Sequence, residues 1–274
     1  MDQIGQQGEI RVAIAGLGAI GKALAIGLDR GFPGLRLVAV AQRDAAAAHA
    51  FLASLQRPSV LAALPQLAAL ADIVIECAPS PLLAQIAEPV LRAGKKLIVL
   101  SAGALLLQPH LQDLARQHGG QLLVPSGALG GLDAVAAMAE GSIHTAKLVT
   151  SKPAASLRGA AYLLEHGIQV EGIDAPIRVF SGSAREAVQG FPANLNVAAA
   201  LALAGIGADL TMVELWADPA ATCNTHRIEL ESDAGRMTME IACLPSANPK
   251  TARMAAQSVL ALLRKLRAAV RVGS

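Results

Sequence analysis

Cysteine is scarce in this chain, and its pattern excludes two kinds of scaffold. The cysteines Cys77, Cys223 and Cys243 are far apart and odd in number. Their spacing fits neither a disulfide framework nor a zinc site, so we expect no metal. Aromatic residues make up only 2% of the chain, and alanine supplies much of the 53% hydrophobic content. That apolar material is ample for two domains or one large α/β domain.

Long uncharged apolar runs are also missing, which argues against a membrane-spanning helix. The best candidate, residues 197–208, is too short to cross a bilayer. The first nine residues are polar and show neither a cationic start nor an apolar core, so we expect no signal peptide. With the cysteine pattern, these features lead us to expect a cytoplasmic protein.

Neither sign of charge is in large excess. The formal net charge is +2 at pH 7, which gives no reason to expect a nucleic-acid partner. Basic residues near the end of the chain follow an apolar-periodic stretch, residues 255–270, and are predicted to form the solvated face of an amphipathic helix. A role for them in binding RNA or a membrane surface is the less favoured alternative.

A glycine-rich turn near the start of the chain is the most informative motif. An apolar run, residues 12–15, leads directly into Gly16-x-Gly18-x-x-Gly21, and a helix-prone segment follows. In that context Gly16 permits a tight turn, Gly18 lets the backbone approach a pyrophosphate, and Gly21 lets the helix lie close to the strand. Free N–H groups at the helix N-terminus would bind the phosphates. We therefore predict a dinucleotide site that includes Gly16, Gly18, Ala19, Ile20 and Gly21.

Two other interpretations of this turn are weaker. Gly16 to Lys22 nearly matches a nucleotide-triphosphate P-loop, but the next residue is Ala23, and the hydroxyl that Mg²⁺ needs is therefore missing. A turn that only reverses the chain is the remaining alternative.

The order of apolar segments predicts an α/β protein with two domains. β-like segments (12–15, 35–41, 73–77, 97–100, 121–124) alternate with helix-like ones (22–30, 45–55, 81–93, 108–118). This alternation is typical of a Rossmann-type, doubly wound parallel sheet, predicted for residues 1–125. Residues 126–249 are predicted to form a second, α+β domain with a hairpin that turns at 232–235. The C-terminal helix, within residues 250–274, is predicted to pack back on the first domain.

The residues at the ends of the predicted strands bear on the coenzyme. Ligands of such sheets sit beyond the carboxyl ends of the strands, where Cys77, Ala78 and Ser101 fall. Gln42 occupies the position where an NAD-preferring site carries an acidic residue, and Arg43 could attract a 2′-phosphate. We therefore predict that NADP is accepted, with NAD also used. Arg43 as a solvated loop charge, and Asp44 as a ribose ligand or a helix cap, remain open.

His226 is the candidate for proton transfer. If residues 224–231 are extended, alternation places Asn224 and His226 with the apolar Ile228 and Leu230, away from the charged face. An inward histidine near the start of a strand can titrate close to neutral pH, as a proton-transfer group should. A hydrogen-bonded core histidine is the alternative. The other five histidines are predicted to lie at the surface.

At this point the sequence resembles a known family, the NAD(P)-dependent L-aspartate dehydrogenases, over nearly its whole length. The matching stretches are the Gly16 turn, 125–133 (PSGALGGLD), 181–186 (SGSARE), 191–199 (FPANLNVAA), the His226 segment and 248–251 (NPKT). The resemblance implies that His226 is the catalytic acid/base, that Ala128 and Asn196 contact the coenzyme, and that a homodimer forms through the second domain. Asn196 as a simple helix cap is the alternative.

The resemblance also implies a reaction. L-aspartate would be oxidised through iminosuccinate to oxaloacetate and ammonia, or formed in reverse, with a link to NAD biosynthesis. The two substrate carboxylates need donors, and our candidates are Asn224, Thr225, Lys152 and Lys250, in descending order. Two alternatives stay open: a reductase of another small dicarboxylate imine or aldehyde, and a non-catalytic NADPH-binding regulator.

Overall fold

The computed structural model describes residues 8–192, 194–246 and 252–273, which divide into two compact units. Among these residues, unit 1 takes in 8–101, Gln108–Val124 and Val259–Ala269, and unit 2 takes in the rest. Ala102–Leu107 belongs with unit 2, although the sequence-based boundary at residue 125 left this segment in the first domain. One reason is a hydrogen bond within unit 2, in which Gly103 N donates to Asn196 Oδ1.

Parallel strands form the sheet of unit 1. They are β1 (Ile10–Ala15), β2 (Leu35–Ala41), β3 (Val60–Leu61), β4 (Ile73–Glu76), β5 (Lys96–Val99) and β6 (Gln121–Leu123). Their order is β3-β2-β1-β4-β5-β6, so the chain order reverses between β1 and β4. β4 is buried along its whole length, as expected of a strand covered on both faces. The two-residue β3 is too short to show a period and was not predicted from the sequence.

The helices of unit 1 follow its strands. They are α1 (Ala19–Asp29), α2 (Ala45–Leu52), α3 (Leu67–Leu70), α4 (Leu83–Arg92) and α6 (His110–His118); α5 (Ala102–Leu106) precedes α6 in the chain and belongs to unit 2. α4 begins later than predicted because a 3-10 turn, Ser80–Leu82, precedes it with Pro81 in its first turn. The part of α11 (Arg253–Arg267) that starts at Val259 also belongs to unit 1, where the Arg264 guanidinium lies 4.6 Å from the centre of the Phe32 ring.

Unit 2 has a mixed sheet with one buried face. Its strands are β7 (Ile143–Pro153), β8 (Ile177–Ser183), β9 (Thr211–Asp218), β10 (Asn224–Ser232) and β11 (Gly235–Cys243). The order is β11-β10-β7-β9-β8, with β7 and β9 parallel and the other neighbours antiparallel. β10 and β11 form the predicted hairpin. Burial alternates along β7 and β10, so Leu148, Ile228 and Leu230 share the buried face.

Short helices complete unit 2. They are α5 (Ala102–Leu106), α7 (Leu132–Ala139), α8 (Ala161–Glu165), α9 (Ala184–Gly190) and α10 (Asn196–Ala204). The predicted fold class, a Rossmann-type parallel sheet with a second α+β domain, is confirmed. No helix among the described residues is both long enough and apolar enough to cross a membrane.

Candidate active site

The three glycines of the turn after β1 are required for three different reasons. A Cβ on Gly16, whose φ is +102°, would lie 2.6 Å from the Cys77 carbonyl oxygen, and one on Gly21 would lie 2.0 Å from the Gly16 carbonyl oxygen. Gly18 has no neighbour within 4 Å of such a Cβ. The backbone at Gly18 is therefore open to a ligand, while Gly16 and Gly21 fix the close approach of turn, strand and helix.

The helix that follows the turn has an N-terminus suited to phosphate. Gly18 is the residue before the first turn of α1 and offers no capping side chain, and that first turn carries no acidic residue. The backbone N–H groups of Ala19, Ile20 and Gly21 are therefore not capped by Gly18 or opposed by a carboxylate. The residues present fit the pyrophosphate of a dinucleotide.

The three polar residues after β2 have separate contacts. Gln42 Oε1 accepts a hydrogen bond from Leu17 N at 3.3 Å, so the glutamine braces the glycine turn. Asp44 caps α2, because its Oδ1 accepts from Ala47 N at 3.0 Å, which confirms the capping alternative for this residue. Arg43 is exposed between them.

The next predicted coenzyme residues lie where β4 and β5 end. Cys77 and Ala78 directly follow β4, and Cys77 N donates to Ala15 O at 2.8 Å. Ser101 follows β5 and is buried. Its main-chain N–H donates at 2.8 Å, and its hydroxyl at 3.0 Å, to the carboxylate of Glu76, the last residue of β4. Hydrogen bonds thus join the carboxyl end of β4 to the segment that follows β5.

The two coenzyme residues implied by the resemblance, Ala128 and Asn196, belong to unit 2. Asn196 is the first residue of α10, and its side chain accepts from Gly103 N at 3.0 Å rather than capping its own helix. The Ala128 carbonyl accepts a hydrogen bond from Cys243 Sγ at 3.3 Å. In unit 2 both residues therefore make cross-segment contacts.

His226 is buried, with 1% of its surface exposed, on the inner face of the second sheet. Thr150 lies directly opposite on β7, and its Oγ1 is 3.2 Å from His226 Nδ1. Burial, with a smaller contribution from the positive charge of Lys152, lowers the pKa of the imidazole to about 3. The expectation that His226 titrates near neutral pH is therefore wrong for the ligand-free chain, in which the ring is neutral.

Lys152 is a further buried polar residue of this face. It lies two residues after Thr150 on β7, so the two side chains share a face, and only 5% of its surface is exposed. Burial lowers the pKa of its ammonium group to about 8. Within residues 8–192, 194–246 and 252–273, no group accepts a hydrogen bond from Lys152 or forms an ion pair with it. The described residues include no fully buried side-chain nitrogen or oxygen without a hydrogen-bond partner, so the Lys152 ammonium group reaches solvent, and an anionic ligand could bind there.

The remaining substrate candidates lie at the start of β10. Asn224 and Thr225 are half-buried, and Asn224 is on the same strand face as His226. A pocket of about 310 Å³ opens beside Asn224. Its described lining does not include His226 or Lys152, and comprises Pro153, Ala155, Ser156, Ala221, Thr222, Cys223, Asn224, Cys243, Pro245 and Ala252. Lys250 lies outside the described residues. In the part of the chain that the structure describes, no group of His, Cys, Asp and Glu could hold a metal ion.

Comparison with known proteins identifies the family. Residues 133–266 match the family model "Aspartate dehydrogenase, C-terminal", and residues 16–125 match "Homoserine dehydrogenase, NAD binding domain". The chain is 53% identical over 266 residues to an L-aspartate dehydrogenase from Bradyrhizobium diazoefficiens, covering 97% of this chain and 95% of that protein. It is 55% identical over 267 residues to L-aspartate dehydrogenase 3 from Bordetella bronchiseptica, covering 97% and 98% respectively.

The chain belongs to the L-aspartate dehydrogenase family. Its fold agrees with a solved aspartate dehydrogenase from Thermotoga maritima, with a TM-score of 0.74 at 24% identity, covering 96% of this chain and 99% of that one. The predicted family is confirmed, as is a nicotinamide-dinucleotide domain built on the Gly16 turn.

Two polar residues of this fold, Thr150 and Glu76, were not predicted from the sequence. Thr150 contacts the candidate base across the sheet, and Glu76 joins two strand ends. A signal for Glu76 was available, because a carboxylate ends an otherwise apolar strand, IVIE. Thr150 gave no local signal, since its partner is 76 positions away in sequence.

Proposed function

We propose that this chain catalyses the NAD(P)-dependent oxidation of L-aspartate. L-aspartate, NAD(P)⁺ and water give oxaloacetate, ammonium, NAD(P)H and a proton, through iminosuccinate, and the reverse reaction forms L-aspartate. The observation that carries the proposal is the placement of a buried neutral imidazole, His226, and a largely buried lysine, Lys152, on the same face of one sheet. The identity of 53% to a curated L-aspartate dehydrogenase supports the choice of substrate.

Lys152 is proposed to bind a substrate carboxylate. Its ammonium group lacks an anionic partner among the described residues, and a dicarboxylate would supply one in a site that excludes most water. Asn224 and Thr225, at the start of β10, offer an amide and a hydroxyl for the second carboxylate. Lys250 remains a sequence-based candidate for the same task.

His226 is proposed to move the protons. Thr150 contacts Nδ1, which leaves Nε2 to exchange protons with the substrate. Oxidation of the amine requires loss of a proton from the substrate ammonium group, and hydrolysis of the imine requires an activated water. Burial is the larger cause of the low pKa of His226, and the charge of Lys152 is the smaller one. A carboxylate bound to Lys152 would offset this smaller contribution and so raise the pKa of the imidazole from its ligand-free value.

When bound, the coenzyme would supply the hydride acceptor for oxidation at the substrate Cα. The chain's contribution is to hold it: the open backbone at Gly18 and the first-turn amides of α1 fit the pyrophosphate. For the adenine ribose, Gln42 is neutral and the Asp44 carboxylate is already bonded to Ala47 N, while Arg43 is exposed and cationic. We therefore propose that NADP is used as well as NAD.

The deciding experiment measures reduced-nicotinamide absorbance with a panel of amino acids and both coenzymes. We expect turnover with L-aspartate and none with L-alanine, which lacks the second carboxylate. His226→Asn should abolish turnover while NADH binding, followed by fluorescence, survives. His144→Asn, at an exposed histidine of β7, is the matched control. Activity on L-glutamate or L-alanine without activity on L-aspartate would contradict the substrate, and full activity of His226→Asn would contradict the mechanism.

We also propose that the enzyme is a cytoplasmic homodimer formed through unit 2. The three cysteines are free thiols, as is usual in a reducing compartment. Leu210 and Met212, near the start of β9, are large apolar side chains that are 67% and 45% exposed, a feature that favours an interface in this unit. Light scattering coupled to gel filtration tests this, and a monomeric mass would contradict it.

A further inference from the structure

Glu76 is a buried carboxylate that the proposed reaction does not use. None of its surface is exposed, and it is the last residue of β4. Its Oε2 accepts from Leu100 N at 3.1 Å and from Ser101 N at 2.8 Å, and its Oε1 accepts from the Ser101 hydroxyl at 3.0 Å. One side chain of β4 therefore satisfies three donors of the segment that leaves β5.

The position of Glu76 in the sheet is informative. β4 is the neighbour of β1 at the point where the strand order reverses, and Glu76 is in register with Ala15, the residue before Gly16. In open α/β sheets, ligands bind in the crevice outside the carboxyl ends of the strands at such a reversal. The segment that Glu76 holds begins at this edge of unit 1.

We propose that Glu76 is a positioning residue for the nicotinamide coenzyme. It fixes the backbone at Leu100 and Ser101 in the shape that the coenzyme contacts, without touching the coenzyme itself. The Ser80 hydroxyl, 3.4 Å from that of Ser101, extends the same network to the segment after β4.

The donors around Glu76 suit a carboxylate. Burial raises the pKa of Glu76, and hydrogen bonds from Ser101, Leu100 and Ala78 oppose that rise. In the segment after β5, removing the side chain would leave the main-chain N–H groups of Leu100 and Ser101 and the Ser101 hydroxyl without their acceptor, which is costly enough to move the segment. A side chain that keeps an acceptor at the same place should keep the segment where it is.

Two variants separate these cases. Glu76→Ala removes every acceptor, and we expect it to raise the dissociation constants of NADH and NADPH by about tenfold or more, which corresponds to about 1.4 kcal/mol. Glu76→Gln retains one oxygen for the Leu100 and Ser101 amides, and its Nε2 can donate to the Ser101 hydroxyl. We expect Glu76→Gln to bind both coenzymes within about threefold of the wild type.

Asp72 provides a control at the other end of β4. This carboxylate directly precedes β4 and accepts from Arg11 N at 2.9 Å and from the Arg11 guanidinium at 2.7 Å, at the amino end of the strands. Asp72→Ala should lower the melting temperature and leave the coenzyme dissociation constants unchanged. The measurement is a fluorescence titration with NADH and with NADPH, below each variant's melting temperature and without any amino acid. Its outcome therefore does not depend on whether L-aspartate is the substrate.

Two outcomes would overturn the proposal: a folded Glu76→Ala variant that binds coenzyme like the wild type, or an Asp72→Ala variant that loses as much coenzyme affinity as Glu76→Ala. If Glu76→Ala does not fold, Glu76→Asp takes its place. Its carboxylate is set back by one methylene and should weaken coenzyme binding several-fold. Wild-type affinity in folded Glu76→Asp would then refute the positioning role.

Discussion

Thr150 and His226 lie opposite each other on antiparallel strands, with the threonine hydroxyl 3.2 Å from Nδ1 of the imidazole. No other hydrogen bond to this ring is present among the described residues. The contact orients the buried ring and leaves Nε2 available for proton transfer. Because the hydroxyl can donate or accept, it can follow the ring through both neutral tautomers.

Replacement of Thr150 by valine keeps the shape of the side chain and removes this contact. We expect Thr150→Val to lower kcat for L-aspartate by about tenfold and to leave the KM for the coenzyme unchanged, since only the orientation of His226 is affected. Thr150→Ser, which retains the hydroxyl, should recover most of the loss. A kcat for Thr150→Val equal to that of the wild type would show that the contact has no catalytic role.

Lys152 is expected to strengthen substrate binding and to lower the stability of the ligand-free protein. We expect Lys152→Met to raise the KM for L-aspartate by about 100-fold, because a charge-assisted hydrogen bond to a carboxylate is lost. The same variant should unfold at a higher temperature, because an unpaired buried charge is removed. The gain should shrink from about pH 8 to pH 10.5, as the wild-type ammonium group, whose pKa is lowered from 10.5 to about 8, loses its proton.

Lys147→Met is the control for that variant. Lys147 lies on the opposite face of β7 and pairs with Glu214 at 3.0 Å. Its loss should leave the KM for L-aspartate unchanged. If both lysine variants raise this KM equally, the loss of any positive charge on β7 explains the change. The proposed role of Lys152 is then wrong.

The stability of the ligand-free protein should depend on the protonation of His226. Its pKa is about 3 in the folded chain, and the ordinary value of 6.5 applies to the unfolded chain. Between these two pH values the unfolded chain therefore binds a proton that the folded chain does not. The resulting stability is present above pH 6.5 and is lost as the pH falls toward 3, by up to about 5 kcal/mol.

Urea unfolding of the wild type and of His226→Asn, compared from pH 7 to pH 4, measures this contribution. As the pH falls, the free energy of unfolding of the wild type should decrease relative to that of His226→Asn. Succinate, a dicarboxylate without the amine, should raise the pKa of His226 in the wild type and not in Lys152→Met, as followed by nuclear magnetic resonance of the imidazole. A constant difference between wild type and variant over this range would contradict the low pKa.

Arg43 should determine how well the enzyme accepts NADPH. We expect Arg43→Ala to weaken NADPH binding by about tenfold and NADH binding by less than about twofold, because only the former carries the 2′-phosphate. Arg92→Ala, at an exposed arginine in the last turn of α4, is the control. Equal affinities of wild type and Arg43→Ala for NADPH would identify Arg43 as a solvated loop charge.

The sequence predicted the parts of the protein that depend on near neighbours in the chain. The Gly16 turn was predictable because the strand, the glycines and the helix that give it meaning are consecutive. The inward direction of His226 was predictable because side chains alternate along a strand, and Arg227 must face water. The two-residue strand β3 was not predictable in this way, because it is too short to show a period.

The sequence alone therefore determined the fold class, the dinucleotide turn and the buried side of β10, since each follows from local periodicity and backbone sterics. Only the tertiary structure decided that Lys152 is buried, that Thr150 meets His226, and that Glu76 accepts from Ser101. These contacts join residues far apart in sequence, and the pKa of a buried group depends on how much water the whole fold removes and on which charges it brings near. The pairing of β7 with β10 and of β4 with β5 determines these contacts and this burial. No local pattern of residues encodes the pairing of strands that are distant in the chain.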